Sequence, residues 1–316
     1  MKKYLYIAIA AATLASCSQD DTLDAIQGEA IQFGNVFVGK STRAAEATDP
    51  SYSTTTGKGV ALTAFKVYGT VGGVNIFDGD NVTKGTAAYG DAWGCDGGAQ
   101  YWLAGANYVF DAVVDATVTT TDETTGMPTS LNYKVSTQKD MLHQRVTTTG
   151  QPTANNGLVA FQFTHLLSKV KFTVSNTSNS NATNYRYTIT DIVITNAYTE
   201  GDCSVPAHTW SNQVAGTYNI YDMTVSSNTT EECATEVLLI PGANIGISFN
   251  LNVQIKNGDK WETISTVPFS KTEAVTLVAN NAYNFKATYA MGGDIQFTAV
   301  QMPEWTSGGD VVVPQQ

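Results

Sequence analysis

Short apolar segments alternate with turn-forming residues along the whole 316-residue chain, and this pattern limits the fold more than any other feature. No stretch repeats apolar residues at i, i+3, i+4 and i+7 over several turns, as an amphipathic helix requires. A single helical turn is expected within residues 137–144. Many short strands separated by turn signals are typical of β-sandwiches, so we predict an all-β protein. The expected strands are residues 30–38, 60–69, 107–114, 158–174, 186–195, 236–240, 245–256, 261–269, 282–289, 294–300 and 310–313.

Two of these segments are expected to pair as a tight hairpin. Residues 245–256 and 261–269 flank Asn257-Gly258-Asp259, and an Asn-Gly step favours the turns that connect neighbouring antiparallel strands. The apolar segment 158–174 is long enough for one bent strand or for two consecutive strands.

The chain is long enough for two domains, since a typical domain has roughly 150 residues. The polar stretch 147–157 contains Pro152 and divides the chain nearly in half, so we expect the domain boundary near residue 155. The expected domains are residues 44–155 and 156–316. The polar stretch 175–184 is expected to be a loop inside the second domain.

The N-terminus has the pattern of an export signal. Lys2 and Lys3 precede an apolar run of eleven residues, 4–14. This run is too short to cross a hydrocarbon core of about 30 Å as a helix, which needs about 20 residues. Residues 1–16 are therefore interpreted as a secretory signal peptide.

A lipid anchor is expected directly after this signal. Leu14-Ala15-Ser16-Cys17 resembles the bacterial lipobox, in which the cysteine thiol is acylated and becomes the new N-terminus. The following acidic stretch, residues 18–21, resembles tethers that direct lipoproteins to the outer face of the outer membrane. We expect a surface-exposed lipoprotein anchored through Cys17; the alternative is an ordinary signal peptide followed by a chance cysteine.

Charge and cysteine content limit the partners and the covalent structure. The formal net charge of −11 disfavours binding to polyanions, so no nucleic-acid partner is expected. Lipidation of Cys17 leaves Cys95, Cys203 and Cys233, an odd number that excludes a complete disulfide framework. Cys203 and Cys233 are a possible pair. Zinc binding by these two with His208 matches no strong ligand spacing, and buried, unpaired cysteines are the favoured interpretation.

The sequence contains no recognisable catalytic motif. The three histidines, His143, His165 and His208, lie outside any known motif, and His165 is expected to be a hydrogen-bonded core residue. Hydrolase elbows, zinc-protease motifs and phosphate-binding loops are absent from the sequence. Glu231-Glu232 is expected to be an ordinary loop pair. We predict a protein that is not an enzyme and that has no catalytic residues, metal ligands or cofactor.

Five aromatic residues have two possible roles. They can stack on sugars or fill the core, and the core is favoured. The residues concerned are Trp93, Tyr101, Trp102, Trp210 and Trp261.

Several motifs together resemble one family. The lipobox is followed by a strand, by Ser41-Thr42-Arg43-Ala44-Ala45, and by a sheet opening with Phe65-Lys66-Val67-Tyr68. The later motifs are Tyr101-Trp102, the segment FQFTHLLSKVKF at residues 161–172, and Leu238-Leu239-Ile240-Pro241-Gly242. In this order they resemble the fimbrillin family of Bacteroidetes-type bacteria, the subunits of type V pili.

This resemblance implies two transthyretin-like β-sandwich domains in tandem and a defined maturation. Residues 17–43 would be a lipidated propeptide that carries a removable first strand, residues 30–38. An Arg-specific surface protease would cut between Arg43 and Ala44 and open a groove. A strand from the C-terminal region of a neighbouring subunit would then fill it.

The residues around Arg43 are compatible with proteolytic cleavage at this position. Arg43 is one of only three arginines and lies among small and polar residues, the kind of loop that proteases prefer. In the first strand, simple alternation places Ile31, Phe33 and Phe37 on one face and Val36 and Val38 on the other. Each apolar side chain that loses its burial costs about 1.5–3 kcal/mol, so loss of the strand would leave an unstable groove.

Two C-terminal segments are candidate donor strands, residues 294–300 and 310–313; the first has Ile295, Phe297 and Ala299 on one face. The sequence therefore predicts a structural subunit of an adhesive, extracellular pilus. Its expected partners are other pilus subunits, the outer membrane through the lipid on Cys17, and an Arg-specific protease. The alternative is an uncleaved surface lipoprotein that binds glycan or protein, or that anchors the pilus.

Overall fold

The computed structural model describes residues 28–38, 51–53, 58–60, 62–85, 93–176, 185–220, 223–226, 230–232, 236–289 and 295–302. These residues form strands with only two short 3-10 turns, η1 (Val135–Thr137) and η2 (Asn155–Gly157), which confirms the all-β prediction. Within the described ranges, no helix is long and apolar enough to cross a membrane.

Twenty-one strands lie in the described residues. The first eleven are β1 (Phe33–Val38), β2 (Ser51–Ser53), β3 (Lys58–Val60), β4 (Ala64–Val71), β5 (Val74–Lys84), β6 (Trp93–Cys95), β7 (Asn107–Val114), β8 (Thr117–Thr121), β9 (Pro128–Lys134), β10 (Leu142–Thr149) and β11 (Val159–His165). The others are β12 (Ser168–Asn176), β13 (Tyr185–Ser204), β14 (Thr209–Asn219), β15 (Met223–Ser226), β16 (Thr230–Glu232), β17 (Val237–Leu239), β18 (Asn244–Asn257), β19 (Lys260–Thr276), β20 (Ala282–Tyr289) and β21 (Gln296–Met302).

Seven strands close into a barrel in the order β1-β11-β10-β7-β4-β5-β6, and β1 completes the ring by also pairing with β6. Alternating side chains point into its core, as in β11, where Val159, Phe161 and Phe163 are buried. Aromatic rings dominate this core because large side chains are needed to fill the interior of a closed sheet. Residues 51–60 contribute a separate two-stranded pair, β2-β3.

Two further sheets share a second core. One has the order β16-β12-β20-β21 with β17 beside β12, and the other has the order β19-β18-β13-β9-β8 with β14 and β15 on β13. Rings from the two sheets meet in this core: Phe172 lies 5.7 Å from Phe249, and Tyr187 lies 5.1 Å from Tyr289, between ring centroids. Tyr68 and Val113, which come from barrel strands, are buried in the same cluster.

Strand pairing crosses residue 155 in both directions. The hairpin β8-β9 precedes that residue, yet β9 pairs with β13 through contacts such as Leu131 opposite Cys203. Strand β11 follows residue 155, yet it lies in the barrel beside β1 and β10. The barrel and the second core are therefore interleaved along the chain, because elements from each half contribute to the other.

Several sequence expectations are confirmed at the level of single elements. Strands β18 and β19 pair through Asn257 opposite Lys260, with Gly258 at φ +62° in the predicted hairpin turn. The segment 158–174 forms two consecutive strands, β11 and β12.

The helical turn expected within residues 137–144 is wrong. Only a 3-10 turn forms, at Val135–Thr137, and Leu142 begins strand β10. The reason is long-range: β10 pairs along its whole length with β7, from Leu142 opposite Val114 to Thr149 opposite Asn107. The expected strand 310–313 lies outside the described residues.

Candidate functional site

Strand β1 closes the barrel, and its backbone is held on both sides. It pairs in parallel with β11, where Phe33 is opposite Val159, and antiparallel with β6, where Phe33 is opposite Trp93. The Val159 amide donates to the Gln32 carbonyl at 2.9 Å. Removing β1 would leave unpaired backbone groups on β11 and β6, which are the groups that recruit an added strand.

The side chains of β1 fill the centre of the barrel core. Phe33 is only 1% exposed, and its ring stacks on Phe161 at a centroid distance of 5.9 Å. Edge contacts join the same ring to three more phenylalanines: Phe65 at 6.2 Å, Phe77 at 5.6 Å and Phe110 at 6.1 Å. Four rings therefore depend on Phe33 for packing.

A β-bulge changes the expected alternation of β1. The pairing with β11 shifts between Gly34 and Phe37, and Val36 is buried in the same cluster as Ile31 and Phe33. The prediction that Val36 lies on the opposite face is therefore wrong. The extra residue of a bulge reverses the inward and outward positions that follow it. The side chain of Phe37 lies outside the described set.

The residues before β1 form a second attachment to the barrel. Ala30 forms a bridge with Tyr101; the Ile31 amide donates to the Gln100 carbonyl at 2.7 Å, and the Trp102 amide donates to the Glu29 carbonyl at 3.0 Å. A Cβ atom at Gly28 would lie 2.1 Å from the Trp102 carbonyl oxygen. Close backbone contact therefore requires glycine at this position.

The sequence-predicted site residues Cys17, Arg43 and Ala44 lie outside the described residues. Their place in the chain still matters, because Arg43 comes after β1 and before β2. A cut at this arginine would separate β1 from the remaining strands in the chain, and β1 would then be held by non-covalent contacts such as those described above.

The C-terminal segment 294–300 corresponds to the last described strand, β21. Among the described strands it lies at the edge of its sheet, and it pairs antiparallel with β20, with Ala299 opposite Phe285. Gln296 and Thr298 are exposed, and Ile295 packs against the edge of the second core. In the described part of the chain, β1 therefore has a neighbouring strand on each side, whereas β21 has one neighbour.

A buried ionic cluster, which the sequence analysis missed, lies where the barrel meets the second core. Asp111 on β7 is fully buried and accepts a hydrogen bond from Arg145 Nε on β10 at 2.7 Å, and Arg145 Nη2 also donates to its carboxylate. His143 Nε2 donates to the same carboxylate at 3.2 Å. His143 Nδ1 shares a hydrogen bond of 2.9 Å with Nε2 of His208, which follows β13.

The charges in this cluster stabilise one another. Burial alone would raise the pKa of Asp111, but hydrogen bonds from Arg145 and His143 hold that pKa below its usual value. Burial and the neighbouring His143 lower the pKa of His208 to about 4, so His208 is neutral at pH 7. Pairing of β7 with β10 places Arg145 opposite Asp111, a contact 34 residues apart in sequence that no local motif reveals. The cluster pairs the buried Asp111 carboxylate with Arg145 and connects the barrel strands β7 and β10 to the segment between β13 and β14.

The remaining candidate residues have structural roles. His165 is buried with Nδ1 at 2.9 Å from Asp140, which confirms the expected core histidine. Cys95 and Cys203 carry free thiols, and burial raises the pKa of Cys203 to about 12. Cys233 lies outside the described residues. No group of three or more His, Cys, Asp or Glu in the described ranges is placed to hold a metal ion.

Most of the five aromatic residues considered as sugar-binding candidates pack within the protein. Trp93 and Trp102 are buried in the barrel, and Trp210 donates from Nε1 to the Leu166 carbonyl at 3.2 Å. Trp261 lies under the Arg186 guanidinium, 4.7 Å from the ring centroid. Tyr101 alone among the five is strongly exposed, at 41%.

Solved structures from Bacteroides species are similar in fold to this chain. A fimbrial protein of Bacteroides vulgatus is 16% identical, with a TM-score of 0.56 over 88% of this chain and 99% of that chain. Candidate cell adhesion proteins of Bacteroides ovatus (14% identical, TM-score 0.55, 89% and 99% covered) and Bacteroides uniformis (18%, 0.52, 88% and 98%) are also similar. At these identities the likeness concerns the fold.

Comparison of the sequence with models of protein families assigns the chain to a family. No curated protein matches the chain. The model of the fimbrillin-like family matches residues 42–305, which is most of the chain and nearly all of the barrel and the second core. The chain therefore belongs to the fimbrillin-like family.

Proposed function

We propose that this protein is a structural subunit of an adhesive surface pilus, exported as a lipoprotein and assembled by β-strand exchange after cleavage at Arg43. The observation that carries the proposal is the position of β1, which completes the barrel between β11 and β6 and supplies Phe33 to the middle of its core. Family membership supports the same role.

Cleavage would turn a stable barrel into an acceptor. The product after Arg43 has 273 residues, 316 minus 43, and lacks β1. Ile31, Phe33 and Val36 are all buried, and at about 1.5–3 kcal/mol each their departure removes about 5–9 kcal/mol of burial. That loss is comparable with the whole stability of a typical domain, about 5–15 kcal/mol. The open groove therefore has a strong tendency to bind another strand.

Both walls of the groove favour a strand over any other ligand. Loss of β1 exposes the backbone of β11 on one side and of β6 on the other. An extended segment satisfies both ladders while its alternate side chains enter the pockets below, the usual mode of strand addition. Neighbouring subunits are the proposed source of that segment.

The N-terminal residues would determine where in the cell the precursor is held. We propose that the lipid on Cys17 holds the precursor at the outer membrane, exposed on the surface, until an Arg-specific protease releases the subunit from residue 44 onward. The mature form would then reside in the extracellular pilus. This role is structural and uses no enzyme activity, cofactor or nucleic acid.

The architecture forms part of the proposal. The barrel core and the second core would correspond to the two transthyretin-like sandwiches that the family resemblance implies, with the division near residue 155. Two separate hydrophobic clusters support this correspondence. Strands exchanged across the boundary, such as β9 and β11, would keep the two units together in the pilus.

Cleavage followed by electrophoresis tests the proposal. The chain from residue 18 onward is treated with an Arg-specific protease and run unboiled on a denaturing gel. The expected result is a ladder of oligomers whose subunits begin at Ala44. Arg145 and Arg186 lie in paired strands and should resist the protease.

The variant Arg43→Lys is the matched control, because it keeps the charge but removes the cleavage site. It should remain monomeric. Clean cleavage at Arg43 without any oligomer would contradict polymerisation of this chain on its own. Resistance of Arg43 to the protease, with the protein staying monomeric, would favour the uncleaved binding lipoprotein or a pilus anchor.

A further inference from the structure

A cavity of about 560 Å³ lies where the barrel meets the second core. Two turns supply much of its wall: Gly72-Gly73, between β4 and β5 of the barrel, and residues 122–127, between β8 and β9 of the second core. Val109 on β7 and Val205, which follows β13, also line it. Pockets that hold small ligands commonly measure about 300–1,000 Å³ and often lie between structural units.

Hydrogen bonds fix both turns, so the cavity is formed before any ligand arrives. Asp122 Oδ1 accepts from the Thr125 amide at 2.8 Å, and Asn75 Nδ2 on β5 donates to the Thr125 carbonyl at 3.1 Å. The Gly72 amide donates to the Asn107 carbonyl at 2.8 Å. The barrel is thereby tied to the hairpin β8-β9, and a preformed site lowers the entropic cost of binding.

Thr70 brings a buried hydroxyl to the cavity. This residue lies on β4, is only 3% exposed and lines the cavity. Its Oγ1 atom makes no hydrogen bond with any residue that the structure describes. A buried hydroxyl without a partner costs free energy, so the contents of the cavity must supply the hydrogen bond that the protein does not.

Arg145 provides a second set of donors. Its Nε and Nη2 atoms bind the Asp111 carboxylate, whereas Nη1 forms no hydrogen bond within the described ranges. The Arg145 side chain is 27% exposed and lines the cavity. Its Nη1 atom carries two N–H groups, which remain available to a ligand.

The charges around the cavity favour a neutral ligand. The buried Asp111 already balances the positive charge of Arg145. Asp122 lies at the cavity, and hydrogen bonds from Thr125 hold its pKa below the usual value, so its carboxylate is ionised at pH 7. An anionic ligand would be repelled by Asp122, and no unpaired cationic side chain among the described lining residues would offset this repulsion.

The hydroxyl groups of a sugar match these protein groups. Each hydroxyl both donates and accepts, so a sugar can accept from Arg145 and Thr70 and donate to the Asp122 carboxylate. Val109 and Met127 add apolar surface for the C–H groups of a sugar ring. A few polar groups that fix orientation over an apolar floor are typical of small-molecule sites.

We infer that this cavity binds a neutral sugar residue, with Thr70, Arg145 and Asp122 as its hydrogen-bonding groups. The residues that line the cavity all follow Arg43 in the chain, so the site would be present before and after cleavage. The inference goes beyond the proposed function and does not depend on it, because a monomer would carry the same site.

Saturation-transfer NMR on the folded, uncleaved chain from residue 18 onward tests the site. The probes are glucose, galactose, mannose, fucose and N-acetylglucosamine at millimolar concentration, with glucuronate and N-acetylneuraminate as acidic counterparts. The expected result is saturable binding of at least one neutral sugar, stronger than that of either acidic sugar. Stronger binding of an acidic sugar, or no binding of any probe, would overturn the inference.

The variant Thr70→Val separates sugar binding from folding. Valine has nearly the same shape, and the Thr70 hydroxyl has no described partner to lose, so the Tm should stay the same or rise. Loss of one hydrogen bond to the ligand should weaken sugar binding by about two- to tenfold. Unchanged affinity in this variant would contradict the assignment of Thr70 to the site.

The variant Thr129→Trp should block the cavity and abolish sugar binding, because Thr129 lies on β9 at an exposed position that lines the cavity. Thr117→Trp is the matched control, since Thr117 is exposed on the neighbouring strand β8 and lies outside the cavity. This control should bind the sugar normally. Binding that survives Thr129→Trp would place the sugar elsewhere and refute the inference, while the oligomer ladder that tests the proposed function would be unaffected.

Discussion

The substitution Phe33→Ala is predicted to destabilise the uncleaved protein more than any other change in β1. Its ring is 1% exposed and packs on four phenylalanines at centroid distances from 5.6 to 6.2 Å. Replacing a buried Phe by Ala costs about 3–5 kcal/mol because it removes burial and leaves a cavity. The four ring contacts place Phe33 near the middle of that range or above it.

Thermal unfolding followed by near-ultraviolet circular dichroism measures this effect. A loss of about 4 kcal/mol corresponds to a fall of about 8–16 °C in the Tm of a unit of 150 or more residues. The control Val74→Ala removes a side chain that is 42% exposed in the same barrel, and it should stay within about 0.5 kcal/mol of wild type. A loss below about 1 kcal/mol for Phe33→Ala would refute the claim that β1 is part of the barrel core.

Three further predictions follow from other sites. Asp111→Ala leaves Arg145 without its buried partner and should cost about 3–5 kcal/mol, measured by urea unfolding. Because the pKa of His208 is about 4 in the folded state and 6.5 in the unfolded state, the unfolded state takes up a proton first as the pH falls. The free energy of unfolding should therefore be unaffected by His208 above pH 6.5 and should decrease between pH 6.5 and 4. In His208→Gln, the free energy of unfolding should depend less on pH across this window. Gly28→Ala pushes against the Trp102 carbonyl, so it should accelerate hydrogen exchange in β1, and unchanged exchange would contradict the close contact.

Local features of the sequence predicted the local features of the fold. Gly258 specified the hairpin between β18 and β19, because the two-residue turn Gly258-Asp259 needs a residue that adopts positive φ at its first position. The apolar run 158–174 indicated two strands or one bent strand, and Leu166 and Leu167, both fully buried, lie at the junction between the two strands that form.

Long-range pairing explains what local patterns missed. Residues 137–144 are compatible with a helical turn in the sequence and overlap the start of β10, but pairing with β7 makes the chain a strand from Leu142 onward. The same pairing brings Arg145 to Asp111, and the β13-β14 turn brings His208 to His143. The bulge in β1 likewise depends on its partner β11, so alternation alone assigned Val36 to the wrong face.

The central proposal is that cleavage at Arg43 and removal of β1 convert a lipoprotein precursor into an assembling subunit. The most direct measurement is the N-terminal sequence, by mass spectrometry, of the chain recovered from the cell surface in polymers that resist denaturant. The expected N-terminus is an unmodified Ala44. A polymer whose subunits begin at lipidated Cys17 and retain residues 28–38 would contradict it, because the groove between β11 and β6 would still be filled.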